Sequence, residues 1–127
     1  MTTPSPPSPK PIGPYTPIVR AGDWLVCSGQ VGAVDGRLVD GGIGAQVGQA
    51  LRNVVSLLSS EGATLADVVK TTVFLADIAD FAAMNEAYVA AFADAGSHRP
   101  ARSAFAVSAL PLGAAVEIEA WAFVGDR

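Results

Sequence analysis

The chain has 127 residues, of which 50% are hydrophobic and 16% are charged, and its formal net charge is −4. A domain of this length buries a core of its own, and one Cys and one His exclude a disulfide framework or a zinc site within one chain. The scattered Lys and Arg residues give no electrostatic basis for nucleic-acid binding. No uncharged stretch of the folded region is long enough to span a membrane. We expect so apolar a chain to assemble with copies of itself.

The N-terminal residues are rich in proline, which predicts an extended arm rather than a helix or a strand. This segment lacks the apolar stretch of a secretory signal, so a cytoplasmic location is the expectation. We therefore divide the chain into a proline-rich arm, residues 1–11, and a single domain, residues 12–127.

The first half of the domain predicts two strands, a hairpin turn and a helix. Short apolar runs predict strands at 18–20 and 24–28, on either side of a tight turn. Asp35-Gly36 is typical of a two-residue hairpin turn. Apolar residues at helical spacing predict a helix over 44–60, with the stripe Val47, Leu51, Val54 and Leu58.

The second half predicts a strand, a helix and two further strands. A run rich in Val, Thr and Phe predicts a strand at 68–75. Asp80 is the expected N-cap of a helix ending near Gly96, with the apolar stripe Phe81, Met84, Tyr88 and Phe92. The closing strands are predicted at 103–109 and 115–124. The order ββαβαββ predicts an α+β fold in which two helices cover a single sheet.

The last predicted strand has two different faces. One is an ordinary core face, formed by Val116, Ile118, Ala120 and Ala122; the other carries Glu117, Glu119, Trp121 and Phe123. This second face is either a solvent-facing surface with incidental acids or a subunit interface with a half-buried carboxylate. We favour the interface, because large aromatic side chains on a wet face would expose a sizeable apolar patch.

Arg102 stands near the start of the strand that follows Pro100. It is either a solvated charge at a strand end or a guanidinium fork held to bind a carboxylate. The strands of Arg102 and Glu117 are neighbours in sequence, and we expect them to be neighbours in the sheet. That arrangement would place a cation and a carboxylate around one cavity.

Two other reactive side chains give weaker signals. Cys27 is expected to be a small buried thiol, since no neighbouring group is visible that would lower its pKa. His98 is expected at the surface of a loop, with a polar role at a pocket rim as the alternative.

Several segments, in order and with family-like spacing, carry a resemblance to a known family. They are Ile12-Gly13-Pro14-Tyr15, Cys27-Ser28-Gly29-Gln30, 46–53, Val68-Val69-Lys70-Thr71-Thr72-Val73-Phe74, 77–88, Pro100-Ala101-Arg102-Ser103 and Val116-Glu117-Ile118-Glu119-Ala120. On these segments the chain resembles the RidA (YjgF-type) family of reactive imine and enamine deaminases. The resemblance covers essentially everything from Ile12 onward.

The resemblance implies a chorismate-mutase-like α+β subunit and a homotrimer whose sheets form a central barrel, with sites in the clefts between subunits. It implies hydrolysis of 2-imino acids, such as 2-iminobutanoate and 2-iminopropanoate, to 2-oxo acids and ammonia. These imines arise from enamines that pyridoxal-phosphate-dependent dehydratases release. No cofactor and no metal is implied, and neither a membrane nor a nucleic acid is an expected partner.

The resemblance also implies roles for individual residues. Arg102 corresponds to the family's carboxylate-binding arginine, and Glu117 to a glutamate that positions or activates the hydrolytic water. We expect the nearby cation to keep Glu117 ionised. The pocket-lining positions are Tyr15, Ser28, Gly29 and Asn85. Ala104 stands where many members have a Cys whose backbone contacts the ligand, so reactivity of that thiol is expected to be missing here.

Two other functions remain open. A non-enzymatic binder of small 2-oxo acids would use the same arginine, but it would tolerate Glu117→Gln, whereas catalysis would not. RNA cleavage, an activity ascribed to some members of the family, has little support in an acidic chain without a basic groove.

Overall fold

The computed structural model describes residues 10–125; residues 1–9, most of the predicted arm, and residues 126–127 lie outside the described residues. Within that range the strands and α-helices are β1 Ile18–Ala21, β2 Trp24–Val31, β3 Ala33–Val34, β4 Arg37–Leu38, α1 Gly42–Ser60, β5 Val68–Leu75, α2 Phe81–Ala91, β6 Ala101–Ala106 and β7 Val116–Phe123. No helix in the described range is long and apolar enough to cross a membrane.

Five strands form one sheet in the order β1-β2-β7-β5-β6, and β3 and β4 form a separate small hairpin. β5 and β6 are parallel, and the other neighbours in the sheet are antiparallel. β6 and β7 are therefore not neighbours, and the expectation that the strands of Arg102 and Glu117 are adjacent was wrong. The crossover through α2 leaves β6 at the outer edge of the sheet, while β7 pairs with β2 and β5.

Both helices lie on the same face of the sheet, as the sequence predicts. The stripe of α1 is fully buried, since its four members, Val47, Leu51, Val54 and Leu58, are at most 1% exposed. The inward-facing residues of β7 are completely buried, which confirms the predicted core face: Val116, Ile118, Ala120 and Ala122. On α2 the predicted stripe is buried except for its first residue, Phe81, which is 39% exposed.

Local details differ from the prediction at several element ends. Asp80 occupies the N-cap position of α2, but its side chain makes no capping hydrogen bond there. The carboxylate of Asp77, one turn earlier, accepts from the backbone N–H of Ala79 at 2.9 Å instead. α2 ends at Ala91, before a short 3₁₀ turn that precedes Gly96. β6 begins and ends earlier than predicted, because its extent is set by pairing with β5.

The predicted hairpin turn is confirmed. Asp35 and Gly36 have φ values of 52° and 78°, and positive φ at both central residues is the geometry of a type I′ turn. The turn joins β3 to β4 directly beside the end of β2.

Candidate active site

Glu117 lies on the face of β7 that points away from the helices, at a shallow cleft of about 560 Å³. The cleft is also lined by Ile12, Tyr15, Ser28, Gly29, Pro111 and Glu119. Beside Glu117, β2 is irregular: between Cys27 and Gln30 two residues, Ser28 and Gly29, stand opposite the single residue Glu119 of β7. A bulge of this kind re-aims the residues within it, and here it brings Gly29 against the carboxylate.

The cleft raises the pKa of Glu117 above its ordinary value. Burial of the carboxylate is the larger cause, and the negative charge of Glu119 is the second. Arg102 is not among the causes, so the expectation that a nearby cation keeps Glu117 ionised was wrong for one chain. A carboxylate with a raised pKa is a stronger proton acceptor in its ionised form, which suits a general base.

Two predicted pocket residues are tied to the N-terminal segment. The hydroxyl of Ser28 donates to the backbone carbonyl of Thr16 at 2.6 Å, and its backbone N–H donates to the carbonyl of Pro17 at 2.8 Å. These bonds hold the segment that carries Tyr15 against the edge of the cleft. Tyr15 itself is 40% exposed, and its hydroxyl accepts a long bond from the N–H of Ile12 at 3.4 Å.

Arg102 lies on the opposite, helix-facing side of the sheet. Its Cζ is 4.9 Å from the ring centroid of Tyr88 and 5.7 Å from that of Phe81. One guanidinium nitrogen approaches the sulfur of Met84 at 3.7 Å. No carboxylate of the described residues forms an ion pair with this guanidinium. An unpaired and half-buried guanidinium is a ready receptor for an anionic ligand.

The other predicted residues near Arg102 lie on α2 and β6. Asn85 shares the helix face of Phe81 and Tyr88, and its Oδ1 is buried with no hydrogen-bond partner among the described residues. Ala104 is the next residue of β6 on the side of Arg102. Because β6 is an edge strand, part of its backbone faces away from β5 and is open to a ligand.

One chain does not bring Arg102 and Glu117 together around one cavity, contrary to the prediction. Thr71 of β5 stands between Arg102 and Ala120 in the sheet register. Glu117 is thus two strands away, roughly 10 Å across the sheet, and about as far again along it. The two side chains also point to opposite faces. A site that uses both needs a second chain.

The two other reactive side chains, Cys27 and His98, make structural contacts. Cys27 is buried as predicted, and burial raises the pKa of its thiol to about 12. His98 is not a free surface residue: it is half-buried, and its Nε2 lies 2.7 Å from the carbonyl oxygen of Val68. The ring therefore joins the loop before β6 to the start of β5.

The contacts of Arg102 with α2 were missed by the sequence reasoning, which assigned Phe81, Met84 and Tyr88 only to the core stripe. The available signal was a stripe that carries three aromatic residues and a thioether, in a protein whose candidate carboxylate-binding arginine follows that helix. Cationic side chains prefer such neighbours.

An α+β subunit with two helices on one five-stranded sheet has the chorismate-mutase-like architecture. The profile of the family described as Endoribonuclease L-PSP matches residues 6–124. This chain belongs to that family, the YjgF/RidA family.

Individual relatives agree with this assignment. The human protein named 2-iminobutanoate/2-iminopropanoate deaminase is 44% identical over 120 residues, which cover 93% of this chain and 85% of the human one. The crystal structure of the YjgF gene product of E. coli is similar with a TM-score of 0.86 at 38% identity, covering 94% of each chain. E. coli TdcF, solved with bound serine, has a TM-score of 0.86 at 34% identity and covers 91% of this chain and 92% of its own.

Proposed function

We propose that this protein hydrolyses reactive 2-imino acids and their enamines, such as 2-iminobutanoate and 2-iminopropanoate, to 2-oxo acids and ammonia. The observation that carries the proposal is the guanidinium of Arg102, which has no carboxylate partner among the described residues. The name of the human relative, at 44% identity, supports the same substrate class. Glu117, with its raised pKa in an accessible cleft, supplies the base that hydrolysis needs.

The reaction requires few groups, because a protonated imine carbon is already electrophilic. Arg102 binds the substrate carboxylate with two parallel N–H donors and so fixes the position of the imine. Glu117 accepts a proton from a water molecule while the water oxygen bonds to the imine carbon. The C=N electrons pass to nitrogen, giving a carbinolamine. Glu117 then returns the proton to nitrogen. As the C–N bond breaks, the hydroxyl oxygen becomes the carbonyl and gives its proton to the carboxylate of Glu117, so that the 2-oxo acid and ammonia leave and the ammonia carries this proton away as ammonium.

A homotrimer with sites between subunits is part of this proposal. Arg102 and Glu117 lie on opposite faces of the sheet of one chain, so a shared site requires Arg102 of one subunit and Glu117 of another. The outer face also bears an aromatic cluster of Trp24, Trp121 and Phe123, with centroids 6.2 and 5.1 Å apart and each side chain more than a third exposed. Contact with a second copy would remove this apolar surface from water.

Subunit mixing tests the shared site. Arg102→Ala and Glu117→Gln are each expected to be inactive alone. Unfolding and refolding them together in equal amounts is expected to restore about a quarter of the wild-type sites, because half of the chains supply each intact residue in a cyclic trimer. A mixture as inactive as its components would contradict a site built from two chains.

An imine-trapping assay tests the activity itself. An L-amino acid oxidase generates the imine in the presence of semicarbazide, and the wild type, Arg102→Ala and Glu117→Gln are added in turn. We expect only the wild type to reduce semicarbazone formation. Unchanged semicarbazone formation with the wild type, across several amino acids, would contradict the deaminase proposal.

Two other functions have a specific observation in their favour. A binder of small carboxylates is favoured by the serine-bound structure of TdcF; such a binder would lose its ligand in Arg102→Ala and keep it in Glu117→Gln, with no turnover in the wild type. RNA cleavage is favoured by the family description, but the net charge of −4 disfavours binding to a phosphate backbone. We expect no cleavage of single-stranded RNA even at low salt.

The proposal places the enzyme in the cytoplasm. Fractionation of cells that express the tagged full chain tests this location.

A further inference from the structure

The guanidinium of Arg102 is positioned by aromatic side chains rather than by carboxylates. Among the described residues it contacts the aromatic faces of Phe81 and Tyr88 and the sulfur of Met84, all on one side of α2. An arginine at the end of a strand that had only solvent around it would sample many rotamers and would lose that freedom on binding a ligand.

The ring of Tyr88 is itself rigidly placed. Its hydroxyl is hydrogen-bonded to that of Thr71 at 2.7 Å, inside the core. Its ring also packs against Phe92, with centroids 4.8 Å apart. Thr71 is the register partner of Arg102 in β5, so the same strand pair determines the position of both the guanidinium and the ring beside it.

We propose that Phe81 and Tyr88 are positioning residues that orient the guanidinium of Arg102 toward the carboxylate of the substrate. This inference rests on the proposed function of Arg102. An aromatic ring attracts a cation through its face and accepts none of the strong in-plane N–H bonds. Apart from the contact of one guanidinium nitrogen with the sulfur of Met84, the in-plane donors are then left for a ligand, and the charge is oriented without being neutralised. An Asp or Glu in the same place would compete with the substrate for those donors.

Phe81 is the better residue for the test, because it is 39% exposed and its replacement does not open the core. Binding of 2-oxobutanoate, the expected product, is measured by calorimetry, and KM and kcat are measured in the imine-trapping assay. For Phe81→Leu we expect Kd and KM to rise about three- to tenfold, with kcat within twofold of the wild type. Phe81→Tyr, which restores a ring face, is expected to recover most of the affinity.

The matched control is Val89→Leu, an exposed apolar position on the same helix, about 100° around the helix axis from Tyr88; it should change neither constant. A double-mutant cycle distinguishes a positioning role of Phe81 from a merely structural role, because only a positioning role depends on the side chain at position 102. The cycle repeats Phe81→Leu in an Arg102→Lys background, where the compact ammonium lacks the planar fork. There we expect Phe81→Leu to raise Kd by less than half of the factor by which it raises Kd in the wild type.

Several results would overturn the inference. One is an unchanged Kd and KM in Phe81→Leu. Another is a loss of affinity on Phe81→Leu that is as large in the Arg102→Lys background as in the wild type. A third is an equal loss of affinity for 2-oxobutanamide, which has no carboxylate. Failure of the proposed function looks different: the wild type would then bind 2-oxobutanoate without consuming imine, and the Kd series would still decide the role of Phe81. A wild type that neither binds 2-oxobutanoate nor consumes imine would overturn both; if it consumes imine without measurable affinity for 2-oxobutanoate, the KM series decides the role of Phe81.

Discussion

A Cβ atom on Gly29 would lie 2.8 Å from the Cδ of Glu117 and 2.9 Å from its Oε2. The carboxylate of Glu117 therefore occupies the space that a side chain at position 29 would fill. Because the atoms in the way are the far end of a flexible side chain, an added methyl group displaces the carboxylate rather than the strand. Catalysis is sensitive to such a displacement, since about 1 Å of misplacement costs on the order of 10²-fold in rate.

Gly29→Ala is expected to lower kcat/KM by roughly 10- to 100-fold while leaving the melting temperature close to that of the wild type. Gly44→Ala is the matched control, because a Cβ at this position in α1 meets nothing within 4 Å and Ala is the better helix former. The control should keep full activity. Full activity of Gly29→Ala would contradict the role of the Gly29 space.

Gly32→Ala is expected to have the opposite effect, a loss of stability. A Cβ on Gly32 would lie 2.5 Å from the Cα and the carbonyl oxygen of Gln46. These are backbone atoms of α1 and cannot swing aside, so α1 and the chain between β2 and β3 must separate. We expect the free energy of unfolding to fall by about 1–3 kcal/mol, measured by urea denaturation. If Gly32→Ala lowered the free energy of unfolding as little as Gly29→Ala does, the chain at Gly32 could move away from Gln46 without loss of stability.

The pH dependence of activity reports on Glu117. The base works only when ionised, so kcat/KM falls as the pH drops through the pKa of Glu117, which burial and Glu119 raise. Glu119→Gln removes the like charge and lowers that pKa, so the acid limb of the profile is expected to move to lower pH. Glu86→Gln, at an exposed position on α2, should leave the limb in place. An unmoved limb in Glu119→Gln would show that Glu119 does not influence the base.

Asn85 and Asn53 offer a comparison of two half-buried amide side chains. The Oδ1 of Asn85 has no partner among the described residues, so Asn85→Leu is expected to keep or raise the melting temperature while weakening ligand binding about tenfold. Asn53 donates to the carbonyls of Val31 and Ala33 at 3.1 and 3.0 Å. Asn53→Leu is therefore expected to cost about 1–3 kcal/mol of stability. Equal destabilisation by both would contradict the assignment of Asn85 to ligand binding.

The thiol of Cys27 is expected to be unreactive in the native protein. Cys27 is the single cysteine, and burial raises its pKa to about 12, so little thiolate is present at neutral pH. A thiol-specific chromogenic disulfide should not react with the folded chain and should react once per chain in denaturant. Ala104 contributes no thiol of its own. Rapid reaction of the folded protein would show that Cys27 becomes exposed.

Most of the secondary structure could be predicted because it depends on local patterns. The alternation along β7 predicted the two faces of that strand, and the helical spacing in α1 predicted its buried stripe. Asp35-Gly36 predicted its turn, because only residues that tolerate positive φ suit both positions. The capping role of Asp80 was wrong, because Asp77 accepts a backbone hydrogen bond one turn earlier.

The sequence by itself determined the elements and the core face of the sheet, since these follow from side-chain type and spacing, and its resemblance to the RidA family singled out the two candidate site residues. Only the tertiary structure decided that β5 lies between β6 and β7, that Arg102 and Glu117 point to opposite faces, and that rings of α2 surround the guanidinium. Strand order and facing depend on which distant segments pair after the crossover through α2. That choice is made by the packing of the whole chain, which no local pattern records.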